Sequence, residues 1–589
     1  MRTLGRLFGF LRPYRRSVIW SLVFASAAMA ITVVIPLLVG SAVNAIEASD
    51  HDKLLPLALA IIGAGLVRLG LTVVRRLIAG RVSVDVEFDL RQRMYGHLQA
   101  LELGFFDSAQ TGQLMSRATV DLQGIRFFLG YGLVFATQSG LTILLASVAM
   151  FIINPLLAFL SLLTVPFVVL GSARFSRLSR PAVQESAQRV AELTAEAEEA
   201  ISGIRIVKAF AREDHMLTRF RHSVSRVFSQ NVYATRLSAF YSPMLGFIPS
   251  LGLAVVLYVG GRKVIDGSLS IGSFVVFYTY LSMLMGPMRM LGLTLGMAQR
   301  AVASGNRMFE ILDRKPLITS EPGAPPLPDG PGAVTFRNVS LTYDSAEPSL
   351  TDINLDVPAG RTVALVGPTG AGKTSLVALI ARLYDPNSGS VSVDGADVRS
   401  VDVASLRGSV AFVADESFLF SASVAENIAY ARPNATQEEI EAAARRAQAH
   451  DFIARLPDGY DTIVGERGLT LSGGQRQRVA IARALIAEPR ILILDDATSS
   501  VDARTEAAIK RGLREVMEGR TTFVVAHRLS TISLADEIVV MEAGRIIDRG
   551  QHEELLERCP LYGEIAEFGC EDVLFLQRDL DEREAVAGL

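Results

Sequence analysis

Residues 367–374 run Gly-Pro-Thr-Gly-Ala-Gly-Lys-Thr. This is the spacing of a loop whose glycines let backbone N–H groups approach phosphate oxygens. In that reading Gly367, Thr369, Gly370, Ala371 and Gly372 wrap the phosphates of a nucleoside triphosphate. Lys373 reaches the β- and γ-phosphates, Thr374 offers a hydroxyl to Mg2+, and Ser375 opens the helix behind. The context is the required one, because a β-rich run at 362–366 enters the loop and an apolar helical run at 375–383 leaves it. Further along, Ile491, Leu492, Ile493 and Leu494 end in Asp495, a buried strand delivering a carboxylate, which is what a Mg2+ site needs. A chance glycine turn does not explain both features together.

The elements around these residues belong to a separate domain. Pro316, Pro322, Pro325, Pro326, Pro328 and Pro331, mixed with glycines, form a stiff extended connection, after which alternating Val334, Phe336 and Val339, then Leu341 and Tyr343, mark strands. The net charge of −3 hides two unlike halves: residues 1–320 carry 32 Lys+Arg against 19 Asp+Glu, and the remainder 26 against 42. A basic half can indicate nucleic acid, but here the arginines are interrupted by long apolar runs, which points to lipid headgroups and nearly excludes a nucleic-acid ATPase. The two cysteines, Cys559 and Cys570, lack a disulfide framework and zinc-ligand spacing, as expected of reduced thiols facing cytosol.

Six apolar runs are long enough to cross a bilayer: 18–43, 54–77, 127–153, 155–170, 240–259 and 271–297. Arg2, Arg6, Arg12, Arg15 and Arg16 precede the first, so the N-terminus is expected on the cytoplasmic side, in an inner or plasma membrane. The stretches between spans two and three and between four and five have the composition of long helices. Their contact turns are expected at 119–126 and 208–215. Within the spans, Arg75, Arg76 and Arg289 fall near the cytoplasmic interface. Arg68 lies deeper and is the candidate for lining a polar cavity, and Gly286-Pro287 should break or kink span six.

Between the glycine loop and Asp495 stand Leu471, Ser472, Gly473, Gly474 and Gln475, followed by a helical run. With these residues the chain resembles an ATP-binding-cassette transporter of the exporter type. The implied fold is an α-helical six-span transmembrane domain with long intracellular helices, fused to an α/β P-loop ABC nucleotide-binding domain. The expected boundaries are 1–312 for the membrane domain, 313–333 for the linker, 334–570 for the nucleotide-binding domain and 571–589 for an acidic tail. The resemblance implies ATP and Mg2+ as cofactors. It assigns Tyr343 to adenine stacking, and Ser472, Gly473, Gly474 and Gln475 to the γ-phosphate of ATP held by a partner domain. It assigns 462–466 to contact with the intracellular turns, 499–502 to the dimer interface, and His527 to the γ-phosphate switch.

Two positions depart from the family pattern. Asp496 stands where a glutamate normally polarises the attacking water, and Asp415 stands where a glutamine normally touches Mg2+ and that water. The shorter acid sits one methylene back, so hydrolysis at this chain's site is expected to be slow while binding survives. Asp415 can still ligate Mg2+ but adds negative charge beside the γ-phosphate. In this family a weakened site accompanies pairing with a different half-transporter, so a heterodimer is expected over a homodimer. The expected substrate is hydrophobic or amphiphilic, because Met283, Met285, Met288 and Met290 suit adaptable contacts as well as helix packing. Two alternatives share the resemblance: an importer of a chelate or vitamin, which an additional domain would favour, and a homodimeric switch that reports ATP occupancy.

Overall fold

The computed structural model describes residues 2–343, 347–415, 417–465, 468, 470–495, 513–514, 516–526 and 529–568. The chain forms two compact units, Met1–Gln99 with Thr111–Arg314, and Ala100–Gln110 with Lys315–Leu589.

The first unit holds six stretches long and apolar enough to cross a membrane: Arg15–Glu47, His51–Ala100, Thr111–Ile153, Pro155–Ser202, Glu213–Ile265 and Ile271–Leu312. They run from 33 to 53 residues, whereas about 20 residues span a hydrocarbon core. The surplus therefore lies beyond the bilayer. Asn154 separates spans three and four: its extended backbone stops one helix, and its side chain accepts from Leu157 N at 3.1 Å to cap the next, with Pro155 at the first position. The outer ends of spans one and six approach closely at two glycines. A Cβ on Gly272 would lie 2.0 Å from Gly40 O, and Gly272 N donates to Asn44 Oδ1 at 2.7 Å. Phe277 and Tyr280 fill the core beside this crossing, and the Tyr280 hydroxyl donates to Val33 O at 2.6 Å.

Two expectations change. Residues 119–126 are not a turn, because Arg117–Asp121 is a π-helical turn that continues into the helix Leu122–Phe127. The polar side chains there pair sideways instead: Asp121 with Arg307 and Ser304, and Arg126 with Glu87. The break falls earlier, where His51–Ala100 ends and the short helix Leu103–Ser108 intervenes before Thr111. By contrast, the second expected turn at 208–215 does hold a break, between the helices Ile204–Ala209 and Glu213–Val255. Pro287 does not break span six, whose helix runs unbroken over Ile271–Leu312. Of the span-two arginines, Arg68 is exposed and Arg75 is buried, at 5% exposure.

In the second unit, strands β1 (Val334–Leu341), β2 (Leu350–Val357), β4 (Ser388–Val393) and β5 (Ala396–Asp397) make an antiparallel sheet in the order β2-β1-β4-β5. The second sheet has the order β10-β9-β3-β8-β7-β6. It contains β3 (Thr362–Val366), β6 (Val410–Val413), β7 (Ile491–Asp495), β8 (Thr521–Val525), β9 (Glu537–Glu542) and β10 (Arg545–Gly550). Every residue of β3, β7 and β8 is buried, as expected of parallel strands covered on both faces. Successive residues accordingly alternate between two cores: Ala364 and Val366 pack in one, Val363 and Leu365 in the other.

Candidate functional site

The neighbouring strands β3, β8, β7 and β6 are all parallel, so their C-terminal ends form one row. Ligands in such sheets bind outside the carboxyl ends of the strands. Each end carries a piece of the candidate site. The glycine loop follows β3, Asp495 closes β7, Ala526 follows β8, and Asp415 stands two residues past the end of β6.

The loop depends on glycine at specific points. Gly370 and Gly372 have φ of +86° and +94°, and a Cβ on Gly372 would sit 2.5 Å from Ser349 O. At Gly367 a Cβ would lie 2.0 Å from Met541 O. Lys373 opens the helix Lys373–Ile380 and is 5% exposed. Its ammonium donates to Gly367 O at 2.7 Å and Pro368 O at 3.0 Å, which holds the positive charge against the loop. Thr374 Oγ1 donates to Asp495 Oδ1 at 3.3 Å. Asp495 is 9% exposed.

This donor set fits Mg2+. The ion keeps hard oxygen ligands, typically one or two carboxylates together with substrate phosphates. Thr374 and Asp495 supply such oxygens at the loop, with Asp415 at the end of the adjoining strand. Among the described residues no group of three or more His, Cys, Asp or Glu is gathered.

Tyr343, past the end of β1, is half-buried, and its hydroxyl donates to Ser375 Oγ at 3.0 Å. Burial pushes its phenol above the ordinary value. Its ring meets that of Tyr384 edge-on, centroids 5.0 Å apart. Tyr384 in turn donates to Asp107 Oδ2 at 2.6 Å. Burial first, then the bond to Asp107, raises the Tyr384 phenol. Asp107 belongs to Leu103–Ser108, the short helix that clusters with this unit, and Glu102 Oε2 accepts from Leu317 N at 3.1 Å. Spacing in the sequence gives no hint of a contact across 277 positions.

Ser472 caps the helix Gly473–Leu485 in a reciprocal box. Its Oγ accepts from Gln475 N at 3.4 Å, and Gln475 Oε1 accepts from Ser472 N at 2.8 Å. The N–H groups of the first turn, including those of Gly473 and Gly474, thus head a 13-residue helix. A helix N-terminus of this kind favours an anion. Near its other end, Arg483 donates to Asn427 O, Asn427 Oδ1 and Phe418 O, each at 2.9 Å. Asn427 is 1% exposed and pairs with both Phe420 N and Phe420 O. The Asn427–Arg483 clamp was not anticipated; an asparagine heading an apolar run three residues before Tyr430 is a weak signal. Asp496, residues 499–502, Glu466, His527, Cys570 and the tail 571–589 lie outside the described residues.

Six apolar spans joined to a glycine-loop α/β domain define a membrane protein powered by ATP. Residues 18–288 match the ABC transporter transmembrane region and residues 350–499 the ABC transporter domain. The chain belongs to the ABC transporter family. It is 38% identical over 575 residues to the ABC transporter ATP-binding protein YknU of Bacillus subtilis (strain 168), covering 97% of this chain and 98% of that one. It is also 38% identical to the multidrug efflux ATP-binding/permease protein Rv0194 of Mycobacterium tuberculosis, over 95% of this chain but 47% of that one. Among solved structures, a bacterial Atm1-family ABC exporter with ATP bound superposes with a TM-score of 0.79 at 32% identity, covering 94% of this chain and 97% of the other. The protein is thus a multi-pass, ATP-hydrolysing membrane transporter of the exporter fold. Its nucleotide-binding domain is cytoplasmic, and it works with a second ABC half.

Proposed function

We propose that this chain is one half of a heterodimeric exporter of hydrophobic or amphiphilic compounds, whose own nucleotide loop holds ATP and hydrolyses it slowly. The observation that carries the reading is the pair of aspartates, Asp496 directly after Asp495 and Asp415 past the end of β6. Gly367, Thr369, Gly370, Ala371, Gly372, Lys373, Thr374 and Ser375 bind and orient the triphosphate, with Tyr343 beside the base. Thr374, Asp495 and Asp415 would hold Mg2+, which when bound neutralises charge between the phosphates. A carboxylate set one methylene back holds its proton acceptor about 1 Å from where it is needed, a misplacement that costs about a hundredfold. His527 stays as the γ-phosphate sensor. Ser472, Gly473, Gly474 and Gln475 are intact and complete the partner's site, where a glutamate does the work. ATP binding would close the two nucleotide-binding domains and turn the spans to alternating access, and hydrolysis would reset them. The wider span of the mycobacterial relative, of which this chain matches about half, supports a second half as the working partner.

The test compares ATP turnover of the assembled transporter after Asp496→Ala in this chain and after replacement of the partner's glutamate by glutamine. The expected result is a small loss in the first case and a loss of about a hundredfold in the second. Equal losses, or brisk turnover by this chain paired with itself and abolished by Asp496→Ala, refute the reading.

A further inference from the structure

Spans three and six flank a half-open cavity of about 650 Å³ lined by Asp121, Gln123, Arg126, Arg300, Ser304 and Arg307, among others. Its level along the bundle follows from the sequence. The apolar run of span three begins at Phe127, next to Arg126, and that of span six ends at Met297, one turn before Arg300. The cavity therefore sits where the cytoplasmic headgroups meet the protein.

Its lining carries three guanidiniums and one carboxylate. The carboxylate is saturated: Ser304 Oγ donates to Asp121 Oδ1 at 2.8 Å, Arg307 Nε donates to Oδ2 at 2.8 Å, and Arg307 Nη2 also reaches Oδ1. The π-helical turn Arg117–Asp121 shifts the phase of the helix at the residue that makes these contacts, and such turns recur at functional sites. The surrounding acids are engaged as well. Glu87 pairs with Arg126 at 2.7 Å and Arg91 at 2.7 Å, and Glu310 pairs with Arg117 at 3.0 Å. Arg126 Nε is buried without a hydrogen-bond partner. Arg300 is exposed and forms no hydrogen bond or ion pair among the described residues. Arg126 and Arg91 share the single carboxylate of Glu87 and Arg300 has none, so the concave site keeps positive charge in excess, with planar donors that match phosphate oxygens two at a time. Basic pockets between membrane helices on the cytoplasmic side suit anionic headgroups.

We propose that this cavity binds a phosphate-bearing anion, with Arg300 and Arg126 as its donors and the Arg307–Asp121 pair as a fixed wall. The same chemistry is offered by an anionic phospholipid headgroup and by a soluble phosphate, and the cavity's level favours the headgroup. The full chain in nanodiscs of phosphatidylcholine with a minor share of phosphatidylglycerol, examined by native mass spectrometry, should retain phosphatidylglycerol selectively. Arg300→Gln should weaken that retention roughly tenfold, and Arg300→Lys should restore part of it. Ala303→Glu, which puts a carboxylate into the same cavity, should abolish retention while leaving thermal stability and ATP binding unchanged. In nanodiscs of phosphatidylcholine alone, binding of glycerol 3-phosphate that is lost in Arg300→Gln would assign the site to a soluble anion instead. Retention of both probes that is indifferent to Arg300→Gln and Ala303→Glu overturns the proposal.

Discussion

Replacing Tyr384 by phenylalanine isolates the link between the short helix Leu103–Ser108 and the rings beside the nucleotide loop. The substitution keeps the edge-on contact with Tyr343 and removes only the hydroxyl that donates to Asp107 at 2.6 Å. A hydrogen bond to a charged acceptor contributes about 1.5–3 kcal/mol when both partners are dry. Asp107 is exposed, so water takes over much of that contact, and about 1 kcal/mol is the appropriate figure. That energy shifts the docked-to-free equilibrium of the helix by about fivefold. The segment does not detach, because Glu102 still accepts from Leu317 N at 3.1 Å. Hydrogen exchange on the intact transporter should therefore show faster exchange of the amides around residues 103–108, by about that factor, with the amides of β3 and β7 unaffected. Asp107→Asn should act similarly, and the double variant should be no worse than either single one. Unchanged protection in Tyr384→Phe, or fully additive effects in the pair, would show that the bond does not hold the helix in place.

Two further outcomes follow from the packing and the ion pairs. Gly272→Ala drives a methyl to within 2.0 Å of Gly40 O and 2.5 Å of Asn44 Oδ1. The crossing of spans one and six must then open, at a cost of about 1–3 kcal/mol, read as a lower melting temperature in detergent; Gly286→Ala, whose Cβ meets nothing within 4 Å, serves as the control. The Arg558 guanidinium, bonded to Asp548 Oδ2 at 3.0 Å, holds that carboxyl below the ordinary range. Its stabilisation is full above the carboxyl's unfolded value and is lost as pH falls through the lower folded one. The melting-temperature gap between wild type and Asp548→Asn should accordingly be widest at neutral pH and close in acid.

The spans and the nucleotide loop were legible because each rests on local physics: a run of apolar residues, or glycines at fixed offsets before a lysine. Bringing Asp495 and Asp415 to the same sheet edge as the loop follows from the parallel strands β3, β8, β7 and β6; their order in the sheet was not legible in the sequence. The first intracellular turn was misplaced for an equally physical reason. Residues 119–126 were expected as a turn between two long helical segments, yet Asp121 and Arg126 continue the helix and pair with span six and with Glu87. The break instead falls at Leu101-Glu102, between the end of His51–Ala100 and the short apolar-rich helix Leu103–Ser108. Which of the span-two arginines is buried was not legible, because depth along a helix says nothing about which face a residue occupies: Arg75 is buried and Arg68 exposed.

The helix Gly473–Leu485 joins two jobs that the sequence presents as separate motifs. Its N-terminus carries the capped anion site of Ser472, Gly473 and Gly474, and Arg483 near its other end grips Asn427 and Phe418 O. Burial lowers the Arg483 pKa from its usual value. The gripped segment begins three residues after Asp415 and displays the exposed rings of Phe418, Phe420 and Tyr430, the last two stacked at 4.8 Å. Any displacement of that aromatic surface is therefore passed to the helix through three hydrogen bonds of 2.9 Å and, along the backbone, to the end of β6. An attachment of this kind lets one movement reach both Asp415, past the end of β6, and the capped helix N-terminus at Ser472.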